Sequence, residues 1–430
     1  MRLVFAAFLF GLLAPVDAQP AGPEGSWTGH WVRDGSILEV ETTFARTDSG
    51  YRGSFSSEQL RVVGIPFTKI RFEAPTLTWD LVGDFDTTTF QGTLRGDTLD
   101  GQFAAGKAAG TFRLTRRLVV PPPLAEEEVS FPNGDVRLGG TVIYPAGQGP
   151  FPGVVFLHGS GAEGRWASRY LATAFARRGV AALIYDKRGV GASTGDWRAV
   201  GFEELVKDAG AAVDLLRSRP RIDPSRVGIH GHSQGGTYAP GVAALNRDVA
   251  FVVGSAAAGT PMAETEVYSI SNNIGIKTLP AADREAAERY VRALVATAYD
   301  GASRSGFEAV WREVRGRPWA FEPPPDTNFY WTFSRRIASF DALAEWRRVT
   351  APALLVYGEA DERVPPRRSA ELIGAAYRGA PGARLEVLFF PGADHTLRLR
   401  PSSPNGFAWP TTAPGYPARV IDWVLEAIRR

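Results

Sequence analysis

Hydrophobic and polar positions along this chain change rhythm at about residue 120. Between residues 24 and 117 apolar and polar residues alternate in short runs, as in Ile37-Leu38-Glu39-Val40, Leu77-Thr78-Trp79-Asp80-Leu81 and Thr111-Phe112-Arg113-Leu114. Turn formers separate the runs at Asp48-Ser49-Gly50, Val82-Gly83-Asp84 and Arg95-Gly96-Asp97. Period-two alternation with regular turns predicts a small antiparallel barrel or sandwich. Repeated Gly-x-Phe/Leu units, at Gly53-Ser54-Phe55, Gly92-Thr93-Leu94, Gly101-Gln102-Phe103 and Gly110-Thr111-Phe112, fit successive hairpins. Trp27, Trp31 and Trp79 read as the core of this domain, with a ligand-binding role as the alternative.

Residues 118–125 form a linker stiffened by Pro121-Pro122-Pro123. From Glu126 to the C-terminus at 430 the pattern changes. Strand-like apolar runs alternate with helical ones, which predicts a mostly parallel sheet in an α/β domain, residues 126–430. Phe202 to Arg217 is the clearest helix. Phe202, Leu205, Val206, Ala209, Val213 and Leu216 recur at helical spacing, with Glu203, Glu204, Lys207 and Asp208 opposite. Between the strands at Phe251-Val252-Val253 and Ala353-Leu354 lie about a hundred residues, far more than a plain connection needs. Asp283 to Ala298 has helical periodicity, and the stretch beyond is rich in Trp, Phe and Pro. This predicts a helical lid at about residues 261–345. Its aromatics could pack structurally, line a substrate pocket, or do both.

Composition sharpens the picture in three places. A net charge of +2 over 430 residues, with arginines dispersed among acids, does not suggest a nucleic-acid partner. The absence of cysteine excludes disulfides and thiol chemistry. At the N-terminus, Arg2, the apolar run Leu3 to Leu13 and the small residues of Val16-Asp17-Ala18 predict a signal peptide over residues 1–18. The expected location is therefore periplasmic or secreted, without stable membrane insertion after cleavage. An uncleaved anchor is the alternative.

The candidate chemistry centres on Gly231-His232-Ser233-Gln234-Gly235, which follows the strand-like Arg226 to His230 and precedes a small-residue helical segment. This is G-x-S-x-G in a strand–turn–helix context. So tight a turn forces the serine toward positive φ and excludes bulk two positions either side. The hydroxyl then stands clear of the sheet edge, and the Gln234 amide faces a developing oxyanion. A base and an acid are needed beside Ser233. Of five histidines, His30 lies in the β-domain, His158 in a strand-end turn, and His230 and His232 on the serine's own strand. His395 remains, in the loop after the strand Leu385 to Phe390. The acid candidate is Asp361, just past the strand Ala353 to Tyr357, with Asp394 and Glu359 as rivals. All three residues then stand outside the carboxyl ends of strands, where open α/β sheets bind ligands.

With these motifs the chain resembles the α/β-hydrolase superfamily. More narrowly, it is similar to bacterial serine hydrolases related to serine aminopeptidases, bile-acid-type acyltransferases and dienelactone hydrolases. Tyr185-Asp186-Lys187-Arg188-Gly189-Val190-Gly191-Ala192-Ser193-Thr194-Gly195 resembles that group's loop after the fourth strand. The likeness runs over roughly residues 126–260 and 350–430, and the N-terminal part resembles lipocalin-like β-domains that precede some bacterial hydrolases. The resemblance implies a triad of Ser233, Asp361 and His395. It implies an oxyanion hole made by the amides of Ser160 and Gln234, with Gly161 second to Ser160. No cofactor or metal is expected, since no zinc-ligand spacing or phosphate loop stands in a fitting context.

The function expected from all this is hydrolysis of small-molecule carboxylic esters through an acyl-enzyme. One alternative is an exopeptidase on the same triad, which would need a buried carboxylate such as Glu264 or Glu266 for a substrate ammonium. Another is a ligand-binding protein that uses the β-domain, with the hydrolase fold as scaffold. The oligomeric state is not legible in the sequence.

Overall fold

The structure is a computed structural model that describes residues 22–82, 87–117, 124–379, 383–401 and 406–429. The expected signal peptide, residues 1–18, and the Pro121-Pro122-Pro123 stretch lie outside the described residues. Two compact units divide the chain, Met1–Ser56 with Gly64–Val120, and Ser57–Val63 with Pro121–Arg430.

Nine strands lie in the first unit, apart from Ser57 of β3 and Val62 and Val63 of β4: β1 (Gly25–Arg33), β2 (Ser36–Thr47), β3 (Gly50–Ser57), β4 (Val62–Pro66), β5 (Thr68–Glu73), β6 (Thr76–Val82), β7 (Thr87–Arg95), β8 (Thr98–Ala105) and β9 (Ala108–Arg116). They form one antiparallel sheet in the order β4-β3-β2-β1-β9-β8-β7-β6-β5. Its two edge strands are consecutive in the chain, separated only by Phe67, so the sheet must curl until its edges nearly meet. The alternation read from the sequence sorts side chains inward and outward. Along β2, Leu38, Val40, Thr42 and Phe44 are buried and the residues between them exposed. The interior is filled with rings: Trp79 stacks on Phe90 at 5.0 Å and Trp31 on Phe55 at 4.6 Å. Trp27, Trp31 and Trp79 are all buried core residues. The recurrent glycines make room for these rings. A side chain at Gly110 would collide with Phe103, and one at Gly92 with Phe112.

The second unit has an eight-stranded sheet: β10 (Ala125–Asn133), β11 (Val136–Tyr144), β12 (Phe151–Leu157), β13 (Ala181–Tyr185), β14 (Ile222–His232), β15 (Val252–Ser255), β16 (Ala353–Gly358) and β17 (Leu385–Phe390). Their order is β10-β11-β13-β12-β14-β15-β16-β17. The first two strands pair antiparallel, and the six from β13 onward are parallel. Strands β12, β13, β15 and β16 are apolar and buried along nearly their whole length because both faces of the sheet are covered there. Helices α1 (Arg169–Arg177) and α10 (Tyr416–Ala427) share one apolar cluster with the sheet. Helices α2 (Phe202–Arg217), α3 (Gln234–Leu245) and α9 (Pro366–Ala376) share the other.

Between β15 and β16 lie α4 (Met262–Ile274), α5 (Ala281–Val295), α6 (Arg304–Val314), α7 (Tyr330–Ile337) and α8 (Ala342–Trp346). The predicted lid is thus mainly helical, with a turn-rich stretch between α6 and α7, and its buried side chains join the apolar cluster that covers one face of the sheet. Tyr290 is fully buried and touches the rings of Phe307, Trp311, Trp319 and Phe321. Much of its aromatic density is therefore internal packing. Among the described residues no helix is long and apolar enough to cross a membrane.

Candidate active site

Strand β14 runs at the centre of the parallel sheet and ends at His232, and α3 begins at Gln234. Ser233 is the whole connection. It holds φ +54° and ψ −116°, outside the ordinary helical and extended regions. Both flanking glycines are obligatory. A Cβ on Gly231 would meet the Gly235 backbone, and one on Gly235 would meet the carbonyls of Leu157 and His158. The turn is anchored where Ser233 N–H donates to the Ser255 carbonyl at 2.8 Å.

Ser233 Oγ lies 2.8 Å from His395 Nε2. The other ring nitrogen, Nδ1, is 3.0 and 2.9 Å from the two Asp361 carboxylate oxygens. With Nδ1–H donating to the carboxylate, Nε2 is the acceptor for the serine hydroxyl. Asp361 is 2% exposed and is held by the backbone N–H groups of Arg363 and Val364, at 2.8 and 2.9 Å. These three residues come from the ends of β14, β16 and β17, brought together by the order of adjacent parallel strands. Such a chain of hydrogen bonds can deprotonate a hydroxyl and stabilise the resulting imidazolium.

The rivals are occupied elsewhere. Asp394 accepts from Thr396 N–H, the Thr396 hydroxyl and Arg398 N–H, and pairs with Arg400. Glu359 pairs with Arg367 at 2.6 Å. His158 lies 2.6 Å from the Tyr185 carbonyl through Nε2, and burial, helped by Lys187, lowers its pKa to about 3. His230 is buried beside Phe156. His232 stands 5.2 Å from the His395 ring, and burial first, then the nearby positive groups, keeps it neutral.

Ser160 lies in the turn after β12, and Gln234 opens α3, where a first-turn amide has no partner within its own helix. Behind both stands a group that the sequence reading passed over. Lys187, 1% exposed, donates to the carbonyls of Gly159 and Gly161 at 2.5 and 2.8 Å and to Gln234 Oε1 at 3.3 Å. Glu163 accepts the Gly159 N–H at 2.6 Å. The loop that carries Lys187 is pinned by Asp186, which accepts from Arg165 and from the Ala192 N–H, and by the buried Arg188–Asp208 pair. An apolar strand running into Asp-Lys-Arg was the available signal.

The lid meets the site through α4. Tyr268 hydroxyl donates to the Asp361 carbonyl at 2.8 Å and Asn272 to the Glu362 carbonyl at 3.1 Å. Glu264 is exposed, whereas Glu266 is half-buried. Burial raises the Glu266 carboxyl's pKa, against the opposing pull of the Tyr330 hydroxyl and Arg363. No cluster of three or more metal-ligating side chains occurs among the described residues.

The chain is 33% identical over 132 residues to the quorum-quenching protein AidA of Acinetobacter baumannii, covering 30% of this chain and 43% of that protein. It is 32% identical over 150 residues to esterase EstD of Thermotoga maritima, covering 32% and 36%. It is 33% identical over 230 residues to the polyketide transferase claH of Penicillium crustosum, covering 52% and 61%. The chain thus spans less than half the length of the first two relatives and about three-fifths of the third. Among solved structures it is similar to DcsB in complex with its substrate analogue, at 19% identity and a TM-score of 0.47, covering 71% of this chain and 98% of that one. It is also similar to Est1E from Butyrivibrio proteoclasticus with bound ferulic acid, at 18% identity and a TM-score of 0.45, covering 70% and 100%. The family model described as serine aminopeptidase, S33, matches residues 149–399, more than half the chain and the stretch that includes Ser233, Asp361 and His395, and the chain belongs to that family of α/β hydrolases.

Proposed function

We propose that this chain is a serine hydrolase that cleaves small-molecule carboxylic esters through an acyl-enzyme. The observation that carries the reading is the continuous hydrogen-bonded line from Ser233 Oγ through the His395 ring to Asp361. Ser233 attacks the acyl carbon while His395 Nε2 takes its proton. Asp361 holds the tautomer and stabilises the imidazolium. The amides of Ser160 and Gln234 receive the oxyanion. The protonated His395 then delivers its proton to the leaving alkoxide, and a water molecule, activated in the same way, releases the acid. No metal or organic cofactor takes part in this scheme. The signal-like N-terminus supports export to the periplasm or medium. Likeness to an esterase over part of the chain agrees with the ester reading.

The test is a fluorophosphonate label, whose phosphorus takes the place of the acyl carbon. It should modify Ser233 alone, and Ser233→Ala should abolish labelling and lower kcat for a p-nitrophenyl ester by about 10⁴-fold. Labelling that persists at another serine would contradict the assignment. A second reading, an aminopeptidase, draws on Glu266, because a half-buried carboxylate facing the lid interior could pair with a substrate ammonium. That reading requires cleavage of amino-acyl p-nitroanilides that is lost on blocking the amine and on Glu266→Gln. Esters are favoured because Glu266 stands without Glu264, which points to solvent, so two carboxylates do not converge.

A further inference from the structure

Lys187 is a fully buried ammonium that neither the proton relay nor the apolar core requires. Its partners set it apart. An ammonium has three N–H donors. Here they go to the Gly159 carbonyl, the Gly161 carbonyl and the Gln234 side chain. These are the two segments that carry the candidate oxyanion donors.

The geometry of the peptide group gives this arrangement a consequence. The Gly159 carbonyl and the Ser160 N–H belong to one planar trans unit, so they point in opposite directions. Drawing the carbonyl inward onto the ammonium turns the Ser160 amide outward. The preceding peptide is fixed as well, because its Gly159 N–H donates to Glu163 and His158 is tied to the Tyr185 carbonyl. The Gly161 carbonyl is the second hold. It belongs to the Gly161–Ala162 unit, so neither hold acts on the unit that carries the Gly161 N–H; of the two candidates only Ser160 shares its peptide unit with a carbonyl held by Lys187. On the other side, the Gln234 carboxamide oxygen is drawn toward the same ammonium while its backbone N–H opens α3.

We propose that Lys187 is a positioning residue that uses one buried charge to aim the Ser160 and Gln234 amides at a common oxyanion and to strengthen the Ser160 donor through its own carbonyl. The inference rests on Ser233 being the nucleophile. A cation on a carbonyl polarises the whole amide, so the N–H at its far end becomes a better donor. The ammonium also adds a fixed positive charge behind the place where negative charge develops. Burial lowers the Lys187 pKa to about 8, with Glu163 opposing the fall. Glu163 itself is pushed up by burial and pulled down by Lys187 and the Gly159 N–H. A buried charge is a costly way to hold a turn that neutral donors could hold equally well. Transition-state stabilisation is a use that neutral donors would serve less well.

The test uses the full chain with Lys187→Met. Three quantities are measured: kcat and KM on p-nitrophenyl acetate, the fluorophosphonate labelling rate, and the inhibition constant of a trifluoromethyl ketone, which adds the serine to form a tetrahedral oxyanion. The expected result is a fall in kcat of about 10- to 100-fold, short of or equal to the loss of a whole donor, with KM within about threefold. The ketone should weaken by the same factor as kcat/KM. A role confined to holding the fold would lower the active fraction, and so kcat, without weakening the ketone for the molecules that remain active. Unchanged ketone affinity and kcat would overturn the proposal. If Lys187→Met does not fold, Lys187→Gln keeps two N–H donors without the charge, and the same proportional loss or its absence decides. A wild-type protein that is neither labelled at Ser233 nor active on esters would instead overturn the proposed function, which keeps the two failures distinct.

Discussion

Ser233 sits at a φ that costs a non-glycine residue about 1–3 kcal/mol, and the two glycines beside it exist to permit that conformation. The acids near His395 differ in how they are used, and a paired substitution should separate them. Asp361→Asn keeps the shape but favours the wrong imidazole tautomer, so kcat should fall by about 10⁴-fold. Asp394→Asn should leave kcat within about tenfold, because its oxygens serve Thr396, Arg398 and Arg400. It should instead cost stability. Burial acts to raise the Asp394 pKa, but those hydrogen bonds outweigh it, and the carboxyl is held below its usual range. A lowered folded pKa means that the contribution is complete above the unfolded carboxylate range. It is lost as pH falls through the folded value, because the unfolded chain binds the proton first. Urea denaturation should therefore find Asp394→Asn destabilised at pH 7, with the gap to wild type closing in acid. At this scale the sequence was legible where a residue's neighbours define its role, as Gly231 and Gly235 do for Ser233. Lys187 was not legible, because its partners Gly159, Gly161 and Gln234 lie on other segments and are met only through the tertiary fold.

Elements were readable in proportion to the length of their pattern. The helix expected from Phe202 to Arg217 has those bounds in the structure. The expected Asp283 to Ala298 is α5, Ala281–Val295, followed by one π-helical turn at Ala296–Asp300. What the periodicity could not reveal was how the lid spends its aromatics, since Tyr290 meets Trp319 and Phe321 about thirty residues away, across turns with no repeating pattern. Tyr290 also donates to the Phe321 carbonyl at 2.8 Å, fastening the proline-rich stretch to α5. Tyr290→Ala should remove this core at a local cost of about 3–5 kcal/mol. The expected outcome is faster proteolytic cleavage between α5 and α7 and an altered acyl chain-length preference. The expectation is checked by limited proteolysis and a p-nitrophenyl ester series. Unaltered preference in a lid that is cleaved faster would assign these rings to packing alone.

At the scale of the whole molecule, the change of rhythm near residue 120 corresponds to a change from an antiparallel sheet to a mostly parallel one. Neither Ser233, Asp361 nor His395 belongs to the first unit. A chain that starts at Leu124 lacks the first unit and also Ser57–Val63 of the second, but keeps all three of these residues, and should keep kcat on a small soluble ester within about tenfold. Complete loss, with the α/β domain folded by circular dichroism, would assign the removed residues a part in the site. Near closure of that sheet was not written in any single strand. It follows from β4 and β5 being both consecutive in sequence and at opposite edges, a fact about pairing order that alternation alone does not encode.

That pairing order also governs when the N-terminal unit can form. Strand β1 bonds to β2 on one side and to β9 on the other, with Trp27 opposite Arg116 and Trp31 opposite Phe112. The β1–β9 seam is the contact of longest sequence separation in the sheet, and long-range pairing of this kind slows folding. A nascent chain cannot zip the seam until Arg116 has left the ribosome. Until then β1 presents an open row of amides and carbonyls, with Trp27 and Trp31 beside it still lacking β9. For a polypeptide that waits to fold in this way, the interval between synthesis and closure is the period of greatest exposure to aggregation.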